Sequence, residues 1–168
     1  MRRPRRLALA VAAVGLALGA AGCGYLSPIQ THDFYQTADG TNLNLEQGGE
    51  PAIGTRNMIV VVADDGQATL FGTVANYTTE DATVELEGAA DGQTAFAGRV
   101  SVPAGQTVQI GPDSGQHLVQ IGKLDVKPGA LMKLTVTAIG ETGTVTLPVT
   151  NTELDYYKKA DSSDGAKG

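Results

Sequence analysis

Few side chains in this chain are suited to chemistry. It has one cysteine, Cys23, two histidines, His32 and His117, and three methionines, of which Met58 and Met132 lie inside apolar runs. Hydrolysis by a nucleophile requires a base to activate that nucleophile and a third group to orient the base. His117 is the only imidazole in the part that reads as folded, and neither GxSxG nor HExxH occurs. Cys23 has no second thiol for a disulfide within the chain, and thiolate metal sites draw on several cysteines. Carboxylates do come in pairs: Asp64 with Asp65, Glu80 with Asp81, and Glu85 with Glu87. In a strand Glu85 and Glu87 share one face while Val84 and Leu86 take the other, the pattern of a half-solvated strand. Calcium loops of the DxDxDG type are absent, and ADGTN, DDG and GPDSG read as turns that supply too few oxygens. These residues predict a protein that is not an enzyme and needs no cofactor.

The setting of Cys23 gives it a different use. Residues 1 to 22 read as an export signal, with a basic RRPRR start, an apolar run over 7 to 18 and the small residues GAAG before a cut. The 16 residues from 7 to 22 fall short of the roughly 20 that a membrane-crossing helix needs. AAGC at the end of such a signal resembles the lipobox of bacterial lipoproteins. That resemblance implies that the Cys23 thiol receives a diacylglyceryl group and becomes the mature N-terminus. Two acyl chains, at about 0.8 kcal/mol per buried methylene, make a stable anchor where one does not. The expected location is the extracytoplasmic face of the cell membrane, reached by the general or the twin-arginine route. Four of the 12 Lys and Arg fall in the signal, leaving eight against 18 Asp and Glu, a net charge of −10. Such a surface repels phosphate backbones, so no nucleic-acid partner is expected. NYT over 76 to 78 matches a glycosylation sequon, to which a bacterial lipobox gives little weight.

The elements that must position these residues follow from the texture of the sequence. Residues 23 to 54 are polar and carry Pro28, Pro51 and Gly48-Gly49, and read as a lipidated N-terminus and tether. TNLNL within it, after the turn signal ADG, offers an added edge strand. From 55 to 150 the texture is β. NMIVVVA is a continuous apolar run for a strand buried on both sides, and QATLFGTVAN alternates, with Ala68, Leu70, Gly72 and Val74 on one face. ATVELEG, TAFAGRVSV, TVQI, HLVQI, LMKLTVTAI and GTVTLPV follow, punctuated by Gly and Pro turns. Short strands at this spacing predict an all-β, immunoglobulin-like antiparallel sandwich of about seven to eight strands. Residues 151 to 168 are polar and small and read as a disordered tail, with one short helical turn around Tyr156 and Tyr157.

Within 99 to 149, the succession PAG, TVQI, a Gly/Pro turn, HLV, LDVKPG, LTV and GTVTLPV resembles the C-terminal half of PCuAC-type periplasmic copper chaperones. Those are cupredoxin-like β-sandwiches that bind Cu(I) through two His and two Met. The resemblance carries a fold with it but few ligands. The HxM pair falls on His117 and Val119, the first His near Glu87 or Gly88, and the other Met near Ala95 or Phe96. Soft Cu(I) prefers thioether and imidazole donors, and one imidazole does not hold it. The export signal, the tether, RNMIVVV and LDVKPG together also resemble the small actinobacterial lipoproteins called LpqE-like. The expected function is a lipid-anchored, non-catalytic binding or envelope accessory module whose sandwich edge recruits a protein or peptide partner. The alternative is a copper-handling protein that uses His117, completed by His32 or a second molecule.

Overall fold

The computed structural model describes residues 39 to 161, and they are all β apart from one short helix. Nine strands run in chain order: β1 (Thr41–Gln47), β2 (Glu50–Val62), β3 (Gln67–Asn76), β4 (Ala82–Ala90), β5 (Gln93–Val102), β6 (Thr107–Ile110), β7 (Gln120–Lys123), β8 (Leu131–Ala138) and β9 (Glu141–Asn151). A 3-10 helix, Asp155–Asp161, closes the described part. Among the described residues no helix is long and apolar enough to cross a membrane.

The strands follow the path β5-β4-β8-β9-β2-β3-β6, with β1 also on β2 and β7 on β3. The path curls into two layers because β9 serves both. Its residues from Glu141 to Pro148 pair antiparallel with β8, and Val149, Thr150 and Asn151 then pair with Val60, Val61 and Val62 of β2. This second pairing is parallel, which corrects the expectation of a purely antiparallel sandwich.

The core lies between the layers and draws on both. Met58, Val60, Leu70, Val74, Val84, Leu86, Val100, Leu134, Val136 and Leu147 are all buried there. Met58 and Met132 are core residues, as their apolar settings predict. Gly72 has φ 151° and makes room for Met58: a Cβ at this position would stand 2.3 Å from the Met58 sulfur. This explains why a glycine interrupts the inward row of Ala68, Leu70 and Val74.

Two expected boundaries shift. The folded part begins at Thr41 instead of 55, because β1 and the first residues of β2 come from the segment read as tether. Gly48 and Gly49, both at positive φ, make the hairpin turn between these strands. At the other end, the short helical turn expected around Tyr156 and Tyr157 is the 3-10 helix, and the ordered part runs past 150 to Asp161. Tyr157 is buried against Ile59 and Val61 on the outer face of β2, with Phe71 edge-on to its ring at 5.3 Å. The NMIVVVA run is therefore buried on both sides, with Met58 and Val60 in the main core and Ile59 and Val61 under the helix.

Candidate functional site

The positions that the copper-chaperone resemblance marks out hold apolar packing. Gly88 on β4 and Phe96 on β5 are direct cross-strand partners. The Phe96 ring lies over Gly88 so closely that a Cβ there would stand 1.9 Å from it, so only glycine fits under the ring. Val119 is buried against Gly98 of β5. His117 is half-buried and bridges to Ile110 at the end of β6. Its backbone N–H donates to the Gln109 carbonyl at 2.8 Å, and its carbonyl accepts from Gly111. No hydrogen bond to its imidazole occurs among the described residues. No three His, Cys, Asp or Glu side chains converge on a metal position among the described residues. One imidazole is not a donor set for a soft ion. Cys23 and His32 lie outside the described residues.

The carboxylates singled out in the sequence have local roles. Glu85 and Arg99 face each other across β4 and β5, and Arg99 donates through Nε at 2.9 Å and Nη2 at 2.8 Å to one Glu85 oxygen. Both side chains are largely exposed, so the pair adds little stability. Glu87 accepts from the Thr94 hydroxyl at 2.8 Å through Oε1, and its Oε2 has no partner among the described residues. Asp65 caps the β2–β3 turn by accepting from the Gln67 N–H, and Asp81 accepts from the Ala104 N–H. These contacts describe turns and a solvated strand face. None forms an acid and base pair.

Asn76, first residue of the sequon, is buried at 1% exposure. Its amide donates to the Glu80 and Val102 carbonyls and its oxygen accepts from Thr78. The side chain is thus taken up in fastening the turn after β3 to the end of β5.

The most open feature of this surface is β5 itself. It ends the strand path and pairs with β4 on one side only. At the end of β5 the Val102 carbonyl accepts from the Asn76 amide. In an antiparallel ladder alternate residues point their N–H and C=O to the same side. The tight β8–β9 hairpin at Ile139-Gly140 turns Ala138 toward β9, so Thr135 and Thr137 face β4 and Glu85 and Glu87 face back to them. Val84 and Leu86 therefore bond to Val100 and Gly98, and Ala97, Arg99 and Ser101 present their backbone groups to the free side of β5, where none has a partner among the described residues. Alongside runs a shallow concavity on the outer face of β4, β5 and β8, floored by Ala97 and Gly98 and walled by Glu85, Glu87, Arg99, Thr135 and Thr137. The sequence marks Glu85 and Glu87 but not Arg99, and it does not show that β5 is an edge. That position depends on pairings between residues far apart in the chain.

No family model and no curated protein matches this chain. Solved structures similar to it include a copper-bound PCuAC domain from PmoF2, at 14% identity and TM-score 0.45, over 65% of this chain and 98% of that domain. An apo PCuAC domain from PmoF1 is similar at 14% identity and TM-score 0.38, over 65% of this chain and 99% of that one. DesR, a beta-glucosidase from Streptomyces venezuelae in complex with D-glucose, is similar at 15% identity and TM-score 0.30, over 57% of this chain and 15% of the enzyme.

Proposed function

We propose that this protein is a non-catalytic binding module, held on the extracytoplasmic face of a membrane by a lipid on Cys23, whose sandwich edge recruits a protein or peptide of the cell envelope. The single observation that supports the binding role is the free side of β5, where Ala97, Arg99 and Ser101 keep backbone donors and acceptors available. Strand addition to such an edge draws affinity from main-chain hydrogen bonds and specificity from alternate side chains. Capture of envelope proteins by the purified protein tests the role. A partner is expected that binds wild type and Cys23→Ser alike and is lost when the β5 edge is blocked by Ala97→Pro, which removes an outward N–H and leaves the β4 ladder intact. Capture of nothing above a control surface sinks the reading. The anchor has its own measurement: intact mass of native protein is expected to show a diacylated species beginning at Cys23. A chain still carrying residues 1 to 22, or one with a free thiol in the medium, contradicts it.

A second reading, copper handling, is supported by the half-buried His117 imidazole, which makes no hydrogen bond among the described residues. It requires further donors from His32 or another molecule. Titration with Cu(I) and Cu(II) decides it: binding tighter than micromolar that His117→Ala weakens at least tenfold is the expected signature. Weak binding unchanged by His117→Ala ends it.

A further inference from the structure

At one level of the other layer, β2 carries an extra residue relative to both of its neighbours. Its step from Thr55 to Met58 faces the shorter step from Leu43 to Thr41 on β1, and its step from Arg56 to Ile59 faces that from Thr73 to Phe71 on β3. A bulge of this kind bends the strand and re-aims a side chain. Asn57 takes the left-handed backbone that the bulge needs, at φ 50°. Its Oδ1 accepts from the Gly40 N–H at 2.8 Å, and its own N–H donates to the Asn42 side chain. Beyond the bulge, Ile59 and Val61 are covered by Tyr157. Before it, the outer face belongs to Arg56.

Arg56 folds back flat over Gly54. A Cβ on Gly54 would stand 2.8 to 3.0 Å from Nη1, Nη2 and Cζ alike, so the guanidinium lies face-down on glycine backbone. Nη1 donates to the carbonyls of Thr55 at 2.8 Å and Leu43 at 3.2 Å, and Nη2 donates to the Tyr77 hydroxyl at 3.1 Å. These contacts use both Nη1 hydrogens and one on Nη2. The donors left belong to Nε and Nη2, and neither has a further partner among the described residues. No carboxylate pairs with Arg56 among the described residues either. Asn44, Thr73 and Gln109, at the surrounding register positions, are all neutral. Part-buried charges are normally met by a counter-charge. Here carbonyl dipoles fix the cation and leave its charge uncancelled.

Nε and Nη2 are the nitrogens with which a guanidinium grips the two oxygens of a carboxylate side-on. Tyr77 is 51% exposed, with the Arg56 Cζ 5.9 Å from its ring centre, and offers an aromatic surface beside those donors. An aromatic ring packs against the C–H face of a pyranose, while the amides and hydroxyl of Asn44, Gln109 and Thr73 suit its hydroxyls. We infer that Arg56 and Tyr77 form a binding site for an acidic sugar, its carboxylate held by the Arg56 Nε and Nη2 donors and its ring lying on Tyr77. The site is in the layer opposite β5 and does not depend on the edge-binding reading. The net acidity of the chain opposes an anion at long range, so recognition rests on these short contacts.

Titration of the purified protein with glucuronate and with glucose, its neutral twin, tests the site, read by the NMR signals of the Arg56 Nε–H and Tyr77. Glucuronate is expected to move both signals and to bind at least about tenfold tighter than glucose, the effect of a hydrogen bond to a charged group. Arg56→Lys keeps the charge but loses the two-donor edge, and is expected to weaken glucuronate by about fivefold or more. Tyr77→Ala, a change at an exposed position, is expected to weaken it as well and serves if Arg56→Lys loosens β1. Acetate supplies a carboxylate without a ring, and N-acetyl-alanyl-alanine supplies a peptide C-terminus. Binding of either as tight as glucuronate overturns the assignment to a sugar. Glucuronate binding that leaves the Arg56 Nε–H unmoved, or that survives both substitutions, overturns the site. No movement of that signal with any of the acids also overturns it and leaves Arg56 a fastener of two backbone carbonyls.

Discussion

Phe96 over Gly88 is the contact that determines what this scaffold can hold on one side of its core. The ring is 5% exposed and occupies the space into which a ligand side chain from β4 would have to point. Gly88→Ala places a methyl group inside the ring's envelope, and overpacking of that kind costs about 1–3 kcal/mol. The expected outcome is a lower urea midpoint for Gly88→Ala and a much smaller effect of the same change in a Phe96→Ala background. Additive effects would show that the two positions do not touch. This pair also shows how far single residues were legible. The burial of Met58 and Met132 follows from their apolar neighbours in sequence. Gly88 read merely as the end of a strand, because its reason is a ring contributed by another strand. Asn76 misled in the same way: NYT advertises a surface acceptor, while the folded chain uses the amide inside.

At the scale of elements, the 3-10 helix is held by aromatic contacts and little else. The Tyr156 hydroxyl donates to the Asp39 carboxylate, Tyr156 stacks edge-on against Tyr157 at 4.4 Å, and Lys159 pairs with Asp113 at 3.0 Å. Tyr157 places its hydroxyl in a buried position without a hydrogen-bond partner among the described residues. Burial pushes its phenol up to about 12, and the Asp39 carboxylate adds to the rise. A tyrosine in the unfolded chain ionises near 10. Between these values the unfolded state gives up a proton that the folded state keeps. The stability contributed by this group is therefore complete below about pH 10 and is lost as pH rises through about 12. Urea midpoints measured from pH 8 to 12 are expected to fall less steeply for Tyr157→Phe than for wild type. Identical slopes would show that the phenol is solvated. At pH 7 the same substitution is expected to cost under about 1 kcal/mol, since it removes an unsatisfied hydroxyl and keeps the ring. The strands were readable from β-branched residues between Gly and Pro turns. β1 was less so, since its residues are polar and half-exposed and its place is settled by β2. The helix fell in a polar segment whose only strong signal, Tyr157, needs Phe71 and Val61 to make sense.

For the molecule as a whole, the order of strands decides where function can sit. Only the pairing path leaves β5 at an edge, and local sequence does not encode that path. The architecture was legible because an all-β texture with frequent turns leaves few compact solutions. The edge proposed for binding was not, because it depends on which strand remains without a neighbour. One strand, β9, joins both layers through its pairings with β8 and β2. Neither layer can peel away from the other without breaking a ladder that they hold in common. Loss of structure should therefore be a single cooperative event. Amides of Leu134 in one layer and Val61 in the other are expected to exchange with the same free energy of opening in native-state hydrogen exchange, and two separate values would refute this. The folded part would then offer proteases no half-open state in which one sheet is undone and the other intact.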